Sequence, residues 1–155
     1  MTVTIRRLTV ADRAAWAAMR TTLYSEADPA TEADELAREI DEMLARDDYA
    51  SFGAEVAGGA LVGFIELFER NYAEGCLTSP VTYVEGLWVA EEWRRRGIAR
   101  RLVGAGIEWG RLRGRLEIAS DAQLANTVSQ AAHRRMGFHE TERIVCFRMA
   151  LTNRA

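Results

Sequence analysis

A chain of 155 residues is long enough to close one domain around a real core and too short for two comfortable ones. Its composition, 48% apolar and 28% charged, is ordinary for a globular chain, and no run approaches the ~18 consecutive apolar residues of a membrane span. The net charge of −3 argues against nucleic acid, because an acidic chain with its arginines gathered on one short segment lacks a basic face.

The chain opens with MTVTIRRLTV, which alternates as a strand over residues 2–8 with Val3, Ile5 and Leu8 as its apolar positions. It has neither the apolar core nor the cleavage site of a secretory signal, so a cytoplasmic location is the expectation. The pair Arg6-Arg7 suits an exposed strand edge. Thr9 and Asp12 suit a helix start, and Trp16, Met19 and Leu23 follow as its apolar stripe. A second helix is predicted from Thr31 to Arg46, burying Leu36, Ile40, Met43 and Leu44. Ser51–Val56 and Ala60–Arg70 read as strands joined by the hairpin signal Gly58-Gly59. Asn71 to Pro80 is a loop, and Val81–Val89 a strong strand. A helix runs from Ile98 to about Arg113, a short strand covers Leu116–Ala119, and a helix from Asn126 to Arg135 ends at Gly137. Glu142–Leu151 is the last expected strand. The order β-α-α-β-β-β-α-β-α-β predicts a mixed α/β fold with one central sheet, a single domain over residues 1–155.

Charge is distributed unevenly. Every basic residue is arginine. From Glu26 to Asp48 there are ten acids against Arg38 and Arg46, whereas Arg94 to Arg115 is dominated by arginine. One segment suits a cationic partner and the other an anionic one, although each could simply be a solvated helix face. The two cysteines, Cys76 and Cys146, have no ligand-spaced neighbours, so reduced, partly buried thiols are expected and no metal site.

The chemistry concentrates where the strand ending Val84-Glu85-Gly86-Leu87-Trp88-Val89 meets Arg94-Arg95-Arg96-Gly97-Ile98-Ala99 and a helix begins. Helix-start amides and the helix dipole favour phosphate oxygens. Gly97 lets backbone come close, Ala99 keeps the first turn open, and arginines can reach a pyrophosphate or a ribose phosphate. A dinucleotide fingerprint needs three glycines, and a P-loop needs a lysine that this chain lacks.

This segment resembles motif A of the GNAT superfamily of acetyltransferases, Q/R-x-x-G-x-G/A. Asn126 and Ala132-His133-Arg134-Arg135-Met136-Gly137-Phe138 resemble the family's second motif. The runs Glu74-Gly75-Cys76, Ser79-Pro80-Val81, Glu108-Trp109-Gly110, Ala119-Ser120-Asp121 and Gly137-Phe138-His139-Glu140 resemble the aminoglycoside 6′-N-acetyltransferase group in particular. That resemblance is close from about Asn71 to Met149. It implies a mostly antiparallel sheet splayed at a coenzyme A site, acetyl-CoA as co-substrate without a metal, a cationic aminoglycoside as acceptor, and a homodimer. Leu87 and Val89, with Trp88 between them, would hold the pantetheine arm. Arg94, Arg95, Arg96, Gly97, Ile98, Ala99 and Arg100 would hold the phosphates, with Asn126 contributing from the second motif.

Two carboxylates stand out for the acceptor. Glu85 lies in the middle of an apolar strand, where an acid is costly unless it is paired, functional or on the solvent side. Asp121 follows a strand end, where turn and cap aspartates are common. The resemblance places both in the acceptor site, with Asp121 as general base and Glu85 as an amine contact and second base. It also implies substrate contacts at Tyr24, Tyr72 and Glu142, the last of which could equally be a rim charge. At His133 the family usually carries a tyrosine that protonates the departing thiolate. An imidazole can do the same work, or be a locally bonded helix histidine. The four tryptophans are expected in packing roles. Two other readings share these residues: an acetyltransferase acting on a polyamine, metabolite or protein N-terminus, and a non-catalytic acyl-CoA-binding module.

Overall fold

The computed structural model describes residues 2–28 and 30–152, so Pro29, one of the two prolines in the chain, lies outside the described residues. The chain forms two compact units, residues 1–121 and 122–155.

The first unit holds a five-stranded sheet in the order β1-β2-β3-β4-β5, formed by Val3–Arg7, Tyr49–Val56, Leu61–Arg70, Val81–Val89 and Ile118–Ala119. Successive pairs are antiparallel except β4 with β5, which is parallel. The hairpin signal holds: Gly58 and Gly59 both have left-handed backbone, with φ of 96° and 90°, which glycine adopts without strain. Two irregularities in the sheet matter for the site. The β3–β4 register slips so that Glu66 faces Gly86 while Leu67 faces Val84, leaving Glu85 as an extra residue, a bulge. In addition, β5 pairs only with Thr82 and Tyr83, so β4 splays away from it beyond that point.

Helices α1 (Arg13–Ala27) and α2 (Ala33–Leu44) cover one face. A short 3-10 turn, Val10–Asp12, leads into α1, and Thr9 and Asp12 form a capping box around it. Trp16 and Met19 of α1, Ile40 and Met43 of α2, and Leu8 and Phe64 from the sheet side make one cluster. Each such side chain contributes about 1.5–3 kcal/mol on burial. Leu44 departs from the expected stripe: it is the last residue of α2 and is 40% exposed.

Helix α3 (Ile98–Leu112) covers the opposite face. Leu67, three residues beyond Phe64, points to that side and packs against Gly106. A Cβ at Gly106 would lie 2.8 Å from Leu67 Cδ2, and Leu67 is fully buried with no room to retreat. We expect Gly106→Val to lower unfolding free energy by about 1–3 kcal/mol in urea titrations, the cost of overpacking.

Arg6 is not a bare edge residue. It bonds Glu55 across the β1–β2 ladder at 2.7 Å and both oxygens of Asp12 at 2.8 and 2.9 Å. The Arg6 hydrogen bonds hold the Asp12 carboxyl at about 2, below its ordinary 3.8. A depressed carboxylate contributes stability above the unfolded value and loses it as pH falls through the folded one. The stability gap between wild type and Asp12→Asn should therefore be full above pH 3.8 and close toward pH 2. Thermal melts of both proteins across that range test this.

The second unit carries α4 (Thr127–Met136), ended by Gly137 at φ 104°. The expected strand Glu142–Leu151 does not form: residues 138–152 have no regular structure, and 139–152 are exposed. A strand needs a neighbour for its backbone groups, and this unit contains no other strand among the described residues. Cys146 is accordingly exposed, not partly buried, while Cys76 is half-buried. Among the described residues, no helix is long and apolar enough to cross a membrane.

Candidate active site

Strand β4 links two neighbouring regions, a cradle at its C-terminal end and an acidic cluster along its middle. The cradle comes first. After Val89 the chain makes a one-turn 3-10 segment, Glu91–Trp93, then the arginine loop, then α3. Arg95 and Gly97 have φ of 59° and 77°. Left-handed residues so spaced bring successive amides into one concavity, an arrangement suited to anions. The first bond of the α3 ladder runs from Arg101 N–H to Gly97 O, 3.1 Å, so the amides before it point out of the helix start. A Cβ on Gly97 would meet nothing within 4 Å, which leaves this surface open to a ligand.

The arginines divide their work. Arg94 donates from Nε to Val89 O at 2.8 Å, tying the loop to the strand. Arg96 donates to Glu92 O at 3.1 Å and stacks on Trp93. Arg95 and Arg100 are exposed at the loop surface. The Arg94 contact also orients the strand. Val89 O faces away from β3, whereas the next amide, Ala90 N–H, turns back to Val62 O at 2.8 Å. Ladder groups alternate sides, so Leu87 shares the open edge with Val89. Both therefore present backbone where β5 has already diverged. The Trp88 side chain instead packs against the α1–α2 core cluster.

The acidic cluster lies on the α1 face of the sheet. Glu85, set out by the bulge, accepts a forked pair from Arg70 at 2.9 and 3.1 Å. The Arg70 guanidinium lies 3.6 Å from the centroid of the Tyr83 ring. Tyr83 donates its hydroxyl to Asp121 Oδ2 at 2.5 Å. The parallel pairing of β5 with Thr82–Tyr83 delivers Asp121 to that hydroxyl two residues after the strand ends. Burial and the Asp121 bond hold the Tyr83 phenol above its ordinary value, so it remains a donor at neutral pH. Glu85, Arg70, Tyr83 and Asp121 thus form one line of contacts. Sequence reasoning named its two carboxylates and missed the arginine and tyrosine between them; the only linear hint was a lone arginine closing an apolar strand.

Next to this line is a second buried group. Glu66 is 1% exposed and accepts from Trp16 Nε1 at 2.9 Å, Arg20 Nε at 2.8 Å and Tyr24 hydroxyl at 3.2 Å. Arg20 also donates to Leu36 O at 2.6 Å and pairs with Glu39, joining α1 to α2. Burial pushes the Glu66 carboxyl up while its donors pull it down, the former being the larger influence. Tyr24 lies against Gly86, where an added Cβ would come within 2.8 Å of its hydroxyl. Tyr24 is therefore beside the bulge, with its own oxygen engaged by Glu66. Tyr72 is exposed on the loop after β3.

The remaining predicted residues belong to the second unit. Asn126 caps α4, its Oδ1 accepting from Ser129 N–H at 3.0 Å. His133 places Nδ1 2.7 Å from Ser129 O, so Nδ1 donates to that carbonyl, and its ring meets Phe138 edge-on. Glu142 is exposed in the extended segment. Among the described residues, no group of three or more His, Cys, Asp or Glu is arranged to hold a metal ion.

Residues 16–138 match the acetyltransferase (GNAT) family. The chain belongs to that family. It is 42% identical over 149 residues to an aminoglycoside N(6′)-acetyltransferase type 1 of Stenotrophomonas maltophilia, covering 96% of this chain and 94% of that one. Among solved structures it is similar to AAC(6′)-Iy in complex with the bisubstrate analogue CoA-S-monomethyl-acetylneamine, with TM-score 0.90, 35% identity and coverage of 97% and 99%. The aminoglycoside 6′-N-acetyltransferase AAC(6′)-Ih of Acinetobacter baumannii is similar too, at TM-score 0.88 and 32% identity over 97% of this chain and 100% of that one. For this GNAT chain the expected fold holds: a mixed sheet, mostly antiparallel, splayed between β4 and β5.

Proposed function

We propose that this protein transfers the acetyl group of acetyl-CoA to the 6′-amine of an aminoglycoside. The observation that carries the reading is the construction of β4: a bulge bearing Glu85 on a strand whose splayed end opens into the Arg94–Ala99 cradle. The extensive likeness to aminoglycoside 6′-N-acetyltransferases supports the acceptor. Residues 1–155 act as a single domain in this reading; the family match runs across the division after Asp121.

Acetyl-CoA supplies an acyl group activated as a thioester. The cradle Arg94, Arg95, Arg96, Gly97, Ile98, Ala99 and Arg100 holds its phosphates, and the open backbone of Leu87 and Val89, flanking Trp88, holds the arm; the second family motif assigns a cofactor contact to Asn126. The acceptor amine arrives as an ammonium and must lose a proton before it can attack. Asp121 takes that proton, and Tyr83 holds the carboxylate in place through its hydroxyl. Glu85 binds an ammonium of the acceptor and serves as second base, Tyr24 and Tyr72 complete this part of the acceptor site, and the family resemblance assigns a substrate contact to Glu142. A backbone N–H freed by the bulge stabilises charge on the carbonyl oxygen. By the family motif, His133 gives the leaving sulfur its proton from Nε2, its Nδ1 being held by Ser129 O.

The protein is proposed to work in the cytoplasm as a homodimer. The exposed apolar side chains Ile144, Val145, Phe147, Met149 and Leu151 support assembly, since such a segment gains by being covered. Light scattering of the purified protein tests it.

The activity is tested by thiol release from acetyl-CoA in the presence of kanamycin, with NMR of the product. The expected result is kanamycin-dependent release and a single acetyl group on the 6′ nitrogen. Release with spermidine alone would favour a polyamine acceptor. No release with any amine would leave an acyl-CoA-binding module.

A further inference from the structure

We propose that Arg70 is a resident surrogate for the substrate cation, seated in the acceptor site until a charged amine displaces it. The proposal rests on the acceptor reading of Glu85 and Asp121 given above. Two contacts and one nearby charge place the guanidinium where an acceptor ammonium would be drawn. It forks onto both oxygens of Glu85 at 2.9 and 3.1 Å. It lies 3.6 Å from the centroid of the Tyr83 ring, a position a cation occupies for the field of the ring face. It is also close enough to feel the charge of Asp121, the carboxylate that the Tyr83 hydroxyl holds from the other end. A cation between two carboxylates and over an aromatic face is what a polyamine acceptor would present to the same groups.

Arg70 can leave. Its side chain is 37% exposed and Glu85 25%, so the pair borders solvent, and the strand ends at Arg70, which frees the side chain from neighbours further along. Displacement exchanges one charge-assisted pair for another. Acceptors with several ammonium groups can meet Glu85 while also satisfying the surrounding acids, whereas a lone amine cannot compete with a forked guanidinium. Arg70 would thereby set a minimum charge for substrates. It is a specificity residue, not a proton carrier.

The test is Arg70→Gln, which keeps length and polarity and removes the charge. A partly exposed pair of this kind lets KM for kanamycin fall about fivefold, with kcat changing by less than KM. Methylguanidinium should inhibit Arg70→Gln competitively against kanamycin at concentrations that leave the wild type unaffected, because it refills the vacated position. A merely structural Arg70 would instead lower kcat or stability and create no methylguanidinium site. A raised or unchanged KM together with no added sensitivity to methylguanidinium overturns the proposal. Should the wild type acetylate no aminoglycoside, the functional reading fails by itself. Calorimetric titration of both proteins with methylguanidinium then decides the surrogate question: binding to the variant alone supports it, and equal behaviour of the two rejects it.

Discussion

Asp121→Asn is expected to lower kcat by about two to four orders of magnitude, the span of general-base contributions. The substitution is nearly isosteric. An asparagine carbonyl can still accept the Tyr83 hydroxyl, so the 2.5 Å contact that joins β5 to β4 survives in some form. The capacity to take a proton from an ammonium does not survive. Melting temperature should therefore move little while turnover collapses, and KM should change much less than kcat. Tyr83→Phe provides the complementary measurement. It removes the hydroxyl that positions the carboxylate but leaves the base, so its loss should be smaller than that of Asp121→Asn. Comparable losses in both would make Tyr83 part of the proton path. Full activity in Asp121→Asn would move the base elsewhere, with Glu85 next in line.

The second large effect is on stability. Glu66→Ala should reduce unfolding free energy by about 3–5 kcal/mol, the cost of stranding one partner of a buried ion pair. Arg20 is 5% exposed and cannot reach water to compensate, and Trp16 Nε1 loses the carboxylate it donates to. Arg20 would keep Glu39 and Leu36 O, which limits but does not cancel the loss. Replacing the pair together, Arg20→Met with Glu66→Leu, should cost less than either single change, because an apolar pair of similar volume carries no unpaired charge. Urea titrations of the four variants test this. The double variant also has a consequence for function. Tyr24 would lose its anchor beside Gly86, so the kanamycin KM should rise even in the better-folded protein.

Local patterns accounted for much of the molecule. The hairpin at Gly58-Gly59, the limits of β4 and the left-handed Gly97 at the mouth of α3 follow from backbone preferences and short-range periodicity, which any stretch of ten residues displays. The cradle was legible for the same reason: it is built from one contiguous run, Arg94 to Arg100. The segment 142–151 shows the limit of that logic. Its alternation reads as a strand, yet a strand exists only beside another, and none adjoins it within its unit. Leu44 likewise has the right chemistry for the stripe but is 40% exposed at the end of α2.

The proposed acceptor site depended on distance in the chain being removed by folding. Asp121 meets Tyr83 across 38 positions, Arg70 meets Glu85 across 15, and Glu66 gathers Trp16, Arg20 and Tyr24 across 50, 46 and 42. A charge in an apolar strand announces that it needs a partner but not which one. By itself the sequence determined the family, the segments of β1 to β4 and the arginine loop ahead of α3, because these are properties of contiguous residues. Only the tertiary structure decided that Glu85 is met by Arg70 and Asp121 by Tyr83, because a single-residue bulge and a two-residue parallel pairing choose which side chains face one another.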